Sequence, residues 1–209
     1  MTSVANRRSV MVLYSDSISA IGHAVRIVLA EKDINVDIHY VSGDNLPEEI
    51  VELNPYNTTL TLIDRDLVLY DAQIIMEYLD ERFPHPPLMP VDPVARASNR
   101  QIRFRVIRDL YSSIEDISSE DASLVACARE NIRDHLTAIS AAFTQKPFFL
   151  SDEYTLVDCC MAPLLWRLDY FGIRLPVSAR PLQHYASRLF EREAFRLSLS
   201  TRERELRAA

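Results

Sequence analysis

The chain has 209 residues, of which 48% are hydrophobic and 25% charged, the composition of a globular protein with one large or two small domains. Its three glycines, Gly22, Gly43 and Gly172, are too scattered to form a phosphate-binding loop or a dinucleotide fingerprint. Its three cysteines include no CxxC spacing, which excludes a thioredoxin-type redox pair and a cysteine-rich zinc site.

Charge is distributed unevenly along the chain. Residues 1–88 carry 14 acidic and six basic side chains, a net charge of −8, whereas residues 89–209 carry a net charge of +1. An acidic half repels nucleic-acid phosphates, so we expect no direct sequence-specific DNA binding. It suits a basic protein partner, although from charge alone a role in solubility is the favoured interpretation until a partner is argued on other grounds. Without a signal-peptide pattern or a long apolar stretch, we predict a cytoplasmic protein with no membrane contact.

The first 83 residues alternate between strand and helix patterns. Hydrophobic spacing predicts strands at Ser9–Tyr14, Asn35–Val41, Leu60–Ile63 and Leu67–Tyr70, and helices at Ala24–Lys32, Pro47–Leu53 and Ala72–Phe83. The last of these helices is predicted to bury Ile74, Ile75, Tyr78 and Leu79. This order of elements predicts a four-stranded mixed sheet with helices on its faces.

A proline-rich stretch, FPHPPLMPVDP at residues 83–93, contains five of the eleven prolines and predicts a stiff linker. We therefore predict two domains, residues 1–88 and residues 89–209. The second is helical by pattern, with helices predicted at Val94–Ile117, at Ala122–Phe143, from a Thr155–Asp158 capping box through Leu168, and at Ala179–Phe195. A second possible capping box, Ser200–Glu203, precedes a charged tail that we expect to be frayed.

Two further groups of residues have a structural interpretation. Arg96, Arg100 and Arg103 share a helical face, and we interpret them as solvated or interface charges rather than a phosphate site. Cys159 and Cys160 begin the central helix of the second half, where we expect them to be buried and unreactive.

The order of elements resembles the cytosolic glutathione transferase fold. Several specific motifs lie along the chain: RSVM at 8–11, VRIVLAEK at 25–32, LNP at 53–55, IIMEYLDERFPHPPLMP at 74–90, PVAR at 93–96, FLSDE at 149–153, LVDC at 156–159 and APLLWRL at 162–168. These motifs are similar to those of one group on that fold, the stringent starvation protein A family of RNA polymerase-associated proteins from proteobacteria. The expected fold class is α/β plus all-α, with a thioredoxin-like N-terminal domain and an all-helical C-terminal domain.

The resemblance allows the glutathione site of the transferases to be traced, and two of its three elements are altered. A hydroxyl after the first strand is present at Ser15, although cap and turn roles favour serine there as well. The family's Val-Pro-Thr-Leu stands here as TLTL beginning at Thr59, so Leu60 occupies the position of a cis-proline. A cis bond before leucine costs about 2.5–4 kcal/mol, which favours a trans peptide. The family's Glu-Ser pair stands as Asp71-Ala72, which lacks the hydroxyl and keeps only backbone N–H groups.

We therefore expect a vestigial glutathione site, with no catalytic residue, no metal and no cofactor. The resemblance instead assigns function to the Pro-His-Pro segment, residues 83–87, which in this family forms a surface pocket required for action on transcription. The expected partner-binding residues are Phe83, Pro84, His85, Pro86, Pro87 and Arg65. Leu88 is a further candidate for an apolar wall, and Arg65 lies at the tip of a predicted hairpin.

The resemblance also implies partners. It implies a homodimer that binds RNA polymerase holoenzyme through the promoter-recognition domain of the sigma factor, a basic surface that an acidic protein complements. We interpret the chain as a non-catalytic transcription regulator of the stationary-phase or stress response. A glutathione-dependent transferase or peroxidase is the alternative, and a structural or chaperone-like dimer is a third option.

Overall fold

The computed structural model describes residues 10–207, so Arg8, Ser9 and the last two residues of the tail lie outside the described residues. The first elements are β1 (Met11–Ser15), α1 (Ala20–Glu31), β2 (Val36–Tyr40), α2 (Glu48–Leu53), β3 (Thr61–Asp64), β4 (Leu67–Leu69) and α3 (Ala72–Arg82). The strands form one mixed sheet in the order β2-β1-β3-β4. β1 runs parallel to β2 and antiparallel to β3, and β3 pairs antiparallel with β4. The predicted four-stranded mixed sheet is confirmed.

The sheet has helices on both faces because its central strand alternates between two cores. Leu13 of β1 faces the large core, which includes apolar residues of α1 and α3. Val12 and Tyr14 face the other way and pack with Ile50 of α2 in a smaller cluster. The result is a layer of α1 and α3 on one side of the sheet and α2 on the other.

The buried face of α3 differs in one position from the prediction. Ile75, Met76 and Leu79 are fully buried, whereas Ile74 is 58% exposed. The buried face of α3 is formed by Ile75, Met76 and Leu79, and Ile74 lies beside this face, on the side that is open to solvent. Predicting Ile74 as a core residue was therefore wrong.

The rest of the described chain is helical. It contains α4 (Pro93–Arg105), a π-helical stretch (Val106–Tyr111), α5 (Ser112–Ile117), α6 (Ala122–Ile139), a 3-10 turn (Ser140–Thr144), α7 (Leu156–Trp166), a 3-10 turn (Val177–Ala179), α8 (Arg180–Glu191), α9 (Glu193–Ser198) and α10 (Thr201–Glu205). The helix predicted over 179–195 is in fact two helices, because the backbone at Arg192 is extended, with ψ at 136°. This confirms the α/β plus all-α fold class.

Helix α7 lies at the centre of the helical part, and a buried cap fixes its start. The Thr155 side chain accepts a hydrogen bond from Val157 N–H, and Asp158 accepts the Thr155 N–H in return, which confirms the predicted capping box. Cys159 and Cys160 follow within the core, as predicted, and burial raises the pKa of Cys160 to about 12. Both thiols are therefore protonated and unreactive at neutral pH.

The sheet and the helical part share one hydrophobic core, to which α1, α3 and α7 all contribute. Leu88 is buried in this core, and its carbonyl oxygen accepts the N–H of Leu156. The division of the chain between residues 88 and 89 stays a prediction. Within residues 10–207 no helix is both long and apolar enough to cross a lipid bilayer.

The charged C-terminal stretch is not frayed up to residue 207, contrary to expectation. The Ser200–Glu203 capping box is formed and begins α10. Glu203 is fully buried and ion-paired with Arg26 of α1 and with Arg167. A carboxylate that balances two buried guanidinium groups anchors this helix to the body of the protein, a contact that local sequence does not reveal.

Candidate functional site

The Pro-His-Pro segment leaves the end of α3 and runs along the surface. Pro84, His85, Pro86 and Pro87 are exposed, Phe83 is partly buried, and the peptide bond between His85 and Pro86 is cis. The predicted partner-binding rings are thus available to another molecule. Predicting Leu88 as an apolar wall was wrong, because its side chain is only 2% exposed and belongs to the core.

A buried ion pair lies directly beneath this segment. Lys32 Nζ donates to Asp80 Oδ1 at 2.6 Å, to the carbonyl oxygen of Phe83 at 2.7 Å and to that of Pro86. The same Asp80 oxygen accepts the N–H of Leu88 at 2.8 Å. Lys32 and Asp80 therefore hold the segment from inside, at its start, near its centre and just beyond its end.

Sequence reasoning missed both members of this pair. Asp80 follows Met76 by four residues and so lies on the buried face of α3, and Lys32 directly follows the apolar helix α1. A charged residue on an apolar helical face predicts a buried partner, since unpaired charges are rarely buried. That signal was present in the sequence, although it does not identify the partner.

Arg65 lies at the tip of the β3–β4 hairpin, exposed and in the left-handed region with φ at 58°. Its neighbour Asp64 accepts a hydrogen bond from the Tyr78 hydroxyl at 2.5 Å and lies 3.9 Å from Arg82 Nε. Arg82 in turn stacks over the ring of Phe83. These contacts bring the base of the hairpin to the start of the Pro-His-Pro segment, and a role for Arg65 in binding a partner stays a prediction.

The hydroxyl groups near the end of β1 are engaged in structural hydrogen bonds. Ser15 is fully buried, and its Oγ accepts a hydrogen bond from Arg26 Nη1 at 2.7 Å and donates to the Asp16 carbonyl at 3.1 Å. Ser19 caps α1 by accepting the N–H of Gly22. The Tyr14 hydroxyl donates to Glu49. Ser15 is therefore not placed to bind the thiolate of a ligand at the surface.

The loop in which Leu60 stands at the expected cis-proline position is held by hydrogen bonds from Asn54. The peptide before Leu60 is trans, as expected, because the single cis bond of residues 10–207 is the one at His85-Pro86. Leu60 is buried in the core and Thr59 is partly buried. The Asn54 amide donates to the side chains of Thr58 and Thr61, which holds the loop against the start of β3.

The start of α3, where the transferases bind the γ-glutamyl carboxylate, is capped by its own side chain. Asp71 Oδ1 accepts the N–H groups of Gln73 at 2.9 Å and Ile74 at 3.0 Å. Ala72 is buried and offers no hydroxyl. These two N–H groups are expected from the sequence to remain available to a ligand, but both already donate to the Asp71 carboxylate.

The arginine face of α4 is engaged in ion pairs with α3. Arg100 Nη2 lies 2.8 Å from Glu77 Oε2, and Arg103 forms an ion pair with the same carboxylate. Arg96 Nη2 lies 3.4 Å from Glu81 Oε1. Arg103 is only 1% exposed, so predicting it as a solvated charge was wrong. Across the part of the chain that the structure describes, no cluster of histidine, cysteine or carboxylate side chains could hold a metal ion.

Comparison with known proteins identifies the family. A protein of Coxiella burnetii named stringent starvation protein A homolog is 48% identical over 96% of this chain and 97% of its own length. The chain belongs to the stringent starvation protein A family. A homolog of the same name from Pasteurella multocida is 46% identical over 95% of this chain and 94% of its own.

The fold of this stringent starvation protein A family member is that of the glutathione transferases. Models of the glutathione S-transferase N-terminal and C-terminal domains match residues 13–87 and 108–186. The solved structure of a glutathione S-transferase from Methylobacillus flagellatus with glutathione bound superposes with a TM-score of 0.81, covering 91% of this chain and all of that one at 23% identity. That likeness extends to the fold alone.

Proposed function

We propose that this stringent starvation protein A family member is a non-catalytic transcription regulator that docks on RNA polymerase holoenzyme. It binds the promoter-recognition domain of the sigma factor through the Pro-His-Pro segment, with Arg65 at the edge of the contact. The observation that carries the proposal is the presentation of His85 between exposed prolines on a backbone anchored by a buried ion pair. A surface fixed before binding loses little conformational entropy on docking.

Charge supports the choice of partner. Residues 1–88, which include the Pro-His-Pro segment, carry a net charge of −8. A sigma-factor domain that contacts DNA is basic and would be attracted to this half of the molecule, which raises the rate of association. The protein would thereby alter promoter choice by occupying the sigma factor, without contacting DNA bases itself. We include a homodimer, a cytoplasmic location and a stress-response role in the same proposal.

Three changes at the residues that correspond to the glutathione site support the proposal that the protein is not catalytic. Arg26 holds the hydroxyl of Ser15, Leu60 replaces the cis-proline, and Asp71 caps the helix that would receive the γ-glutamyl group. Each feature opposes glutathione binding by a different physical route. The alternative of a glutathione-dependent transferase or peroxidase requires all three to rearrange.

The test is capture of RNA polymerase holoenzyme by immobilised wild type and by the His85→Ala variant. His184→Ala, which removes another exposed histidine, is the matched control. We expect wild type and His184→Ala to retain the polymerase, and His85→Ala to retain much less of it at an unchanged melting temperature. Equal capture by all three would contradict the proposed docking surface. Micromolar glutathione affinity by calorimetry, together with turnover in a thiol-conjugation assay, would establish the enzymatic alternative instead.

A further inference from the structure

We propose that Lys32 and Asp80 are positioning residues for the Pro-His-Pro segment, and that partner binding depends on them although neither touches the partner. The Lys32 side chain is fully buried and that of Asp80 is 9% exposed, so neither presents a charge to another molecule. Their contribution is the fixed shape of the backbone around His85. This inference rests on the proposed function, because it concerns the same surface.

A proline-rich segment needs a hydrogen-bond donor from outside itself. Pro84, Pro86 and Pro87 have no backbone N–H, so the segment cannot form the internal hydrogen bonds that stabilise an ordinary turn. Its carbonyl oxygens remain acceptors, and those of Phe83 and Pro86 point to the Lys32 ammonium group. Lys32 therefore supplies the hydrogen bonds that the segment's own composition removes.

The number of hydrogen bonds matches the chemistry of lysine. An ammonium group has three protons and no acceptor. Here the three acceptors are Asp80 Oδ1 and the carbonyl oxygens of Phe83 and Pro86, which lie on either side of His85 in the chain. The planar fork of an arginine would not meet three acceptors grouped around one nitrogen.

We call the Lys32–Asp80 pair the clamp. Asp80 contributes to it in two ways. Its Oδ1 balances the charge of Lys32 and also accepts the N–H of Leu88, directly after the segment. The pair thus joins the end of α1, the last turn of α3 and both ends of the segment. Loss of either partner leaves a buried charge uncompensated and frees the backbone on both sides of His85.

The first experiment compares sigma-factor affinity of the full chain for wild type, Lys32→Met, His85→Ala and the double variant. Methionine keeps the length of the lysine chain and removes all three donors. We expect Lys32→Met to weaken docking on the order of tenfold, since the segment must then be ordered on binding. The double variant should bind no more weakly than His85→Ala alone, because both changes act through one surface. Wild-type affinity in folded Lys32→Met, or additive losses, would overturn the inference.

Arg192→Met is the matched control. Arg192 forms an ion pair with Glu31, the residue before Lys32, and lies on the side of α1 that packs against α9. Its loss removes a partly buried ion pair at the same end of α1 without reaching the Pro-His-Pro segment. We expect lower stability and unchanged docking, so a docking loss equal to that of Lys32→Met would overturn a specific positioning role.

A second experiment measures the clamp without any partner. Amide hydrogen exchange at Leu88 and nuclear magnetic relaxation at His85 should both report a more mobile segment in Lys32→Met, with at least tenfold faster exchange at Leu88. If Lys32→Met does not fold, Asp80→Asn keeps the side-chain shape but removes the counter-charge of Lys32, and smaller changes in the same direction are expected there. Unchanged exchange and relaxation in the folded variant would overturn the inference. Failure of wild type to bind the sigma factor would overturn the proposed function but leave this measurement of the clamp intact.

Discussion

Arg26 Nη2 lies 2.6 Å and 2.7 Å from the two carboxylate oxygens of Glu203, although 177 residues separate the two in the chain. Arg167 donates to the same carboxylate, and all three side chains are almost completely buried. The cluster joins α1, the end of α7 and α10 into one unit. Its centre is a single negative charge shared by two positive ones.

The Glu203→Gln variant should lose about 3–5 kcal/mol of unfolding free energy, because two buried guanidinium groups would lose their counter-ion. Glu205→Gln is the control, since Glu205 is exposed on the same short helix. Urea denaturation followed by circular dichroism measures both. If the two variants were equally stable, Glu203 would not be the anchor of α10.

Stability should depend on pH through His23. Its Nδ1 lies 3.2 Å from Arg167 Nη1 and its Nε2 lies 2.9 Å from Ser198 Oγ. Burial, and then the charges of Arg167 and Arg26, hold the pKa of His23 well below its usual value. The neutral ring therefore accepts from Arg167 and donates to Ser198. Below pH ~6.5 His23 is protonated in the unfolded chain but stays neutral in the folded protein. The free energy of unfolding therefore falls as the pH falls, by about 1.4 kcal/mol per pH unit.

The pH effect is measured by chemical denaturation of wild type and His23→Gln between pH 7.5 and 5.5. Glutamine does not titrate, so the variant should show a smaller loss of stability on acidification. His184→Gln removes an exposed histidine and should follow wild type. Parallel pH profiles for wild type and His23→Gln would show that His23 is not the titrating group.

The buried cap of α7 should contribute more than an exposed cap. Asp158 accepts hydrogen bonds from the Phe149 and Thr155 N–H groups and from the Tyr185 hydroxyl. Its Oδ2 also accepts a hydrogen bond from the Thr155 hydroxyl. Asp158→Ala should lower the unfolding free energy by about 3 kcal/mol or more, because four buried donors lose their acceptor. Asp121→Ala, at the exposed start of α6, should cost only about 1 kcal/mol. Thermal denaturation of the pair tests the difference, and equal losses would contradict it.

Gly22 is required by the close approach of α1 to β1. A Cβ at this position would lie 2.4 Å from Ser15 Oγ, which Arg26 already holds in place. Gly22→Ala should therefore destabilise by about 1–3 kcal/mol, despite the better helix propensity of alanine. Gly43 has open space around it, so Gly43→Ala should be close to neutral. Calorimetric melting temperatures of the two variants test the contrast. An unchanged melting temperature in Gly22→Ala would show that the Ser15 side chain can move aside at little cost.

Features set by local physical chemistry could be predicted from the sequence. The strands follow from short apolar runs, and the Thr155–Asp158 capping box follows from the spacing of a hydroxyl and a carboxylate three residues apart. The trans peptide before Leu60 follows from the cost of a cis bond before any residue other than proline. The assignment of Ile74 to the core failed because α3 has three consecutive apolar residues, Ile74, Ile75 and Met76. In a short helix their spacing does not decide which two face the core.

Features set by distant contacts could not be predicted. Lys32 and Asp80 are 48 residues apart, and neither the segment above them nor the helices that carry them indicates the pairing. Glu203 lies in a stretch whose charge is typical of a solvated tail, and only the fold supplies its two arginine partners. Both pairs depend on how the helices pack, which hydrophobic periodicity does not specify.

The ion pair between Arg26 and Glu203 also affects when the protein can finish folding during its synthesis. A ribosome makes α1 early and α10 much later, so Arg26 leaves the exit tunnel long before the carboxylate that neutralises it. Burying that guanidinium alone would be costly, and the nascent first half must keep it hydrated until α10 arrives. The final packing of α1 therefore waits until α10 has been made, and termination before α10 leaves a polypeptide in which Arg26 and Arg167 lack their buried counter-ion.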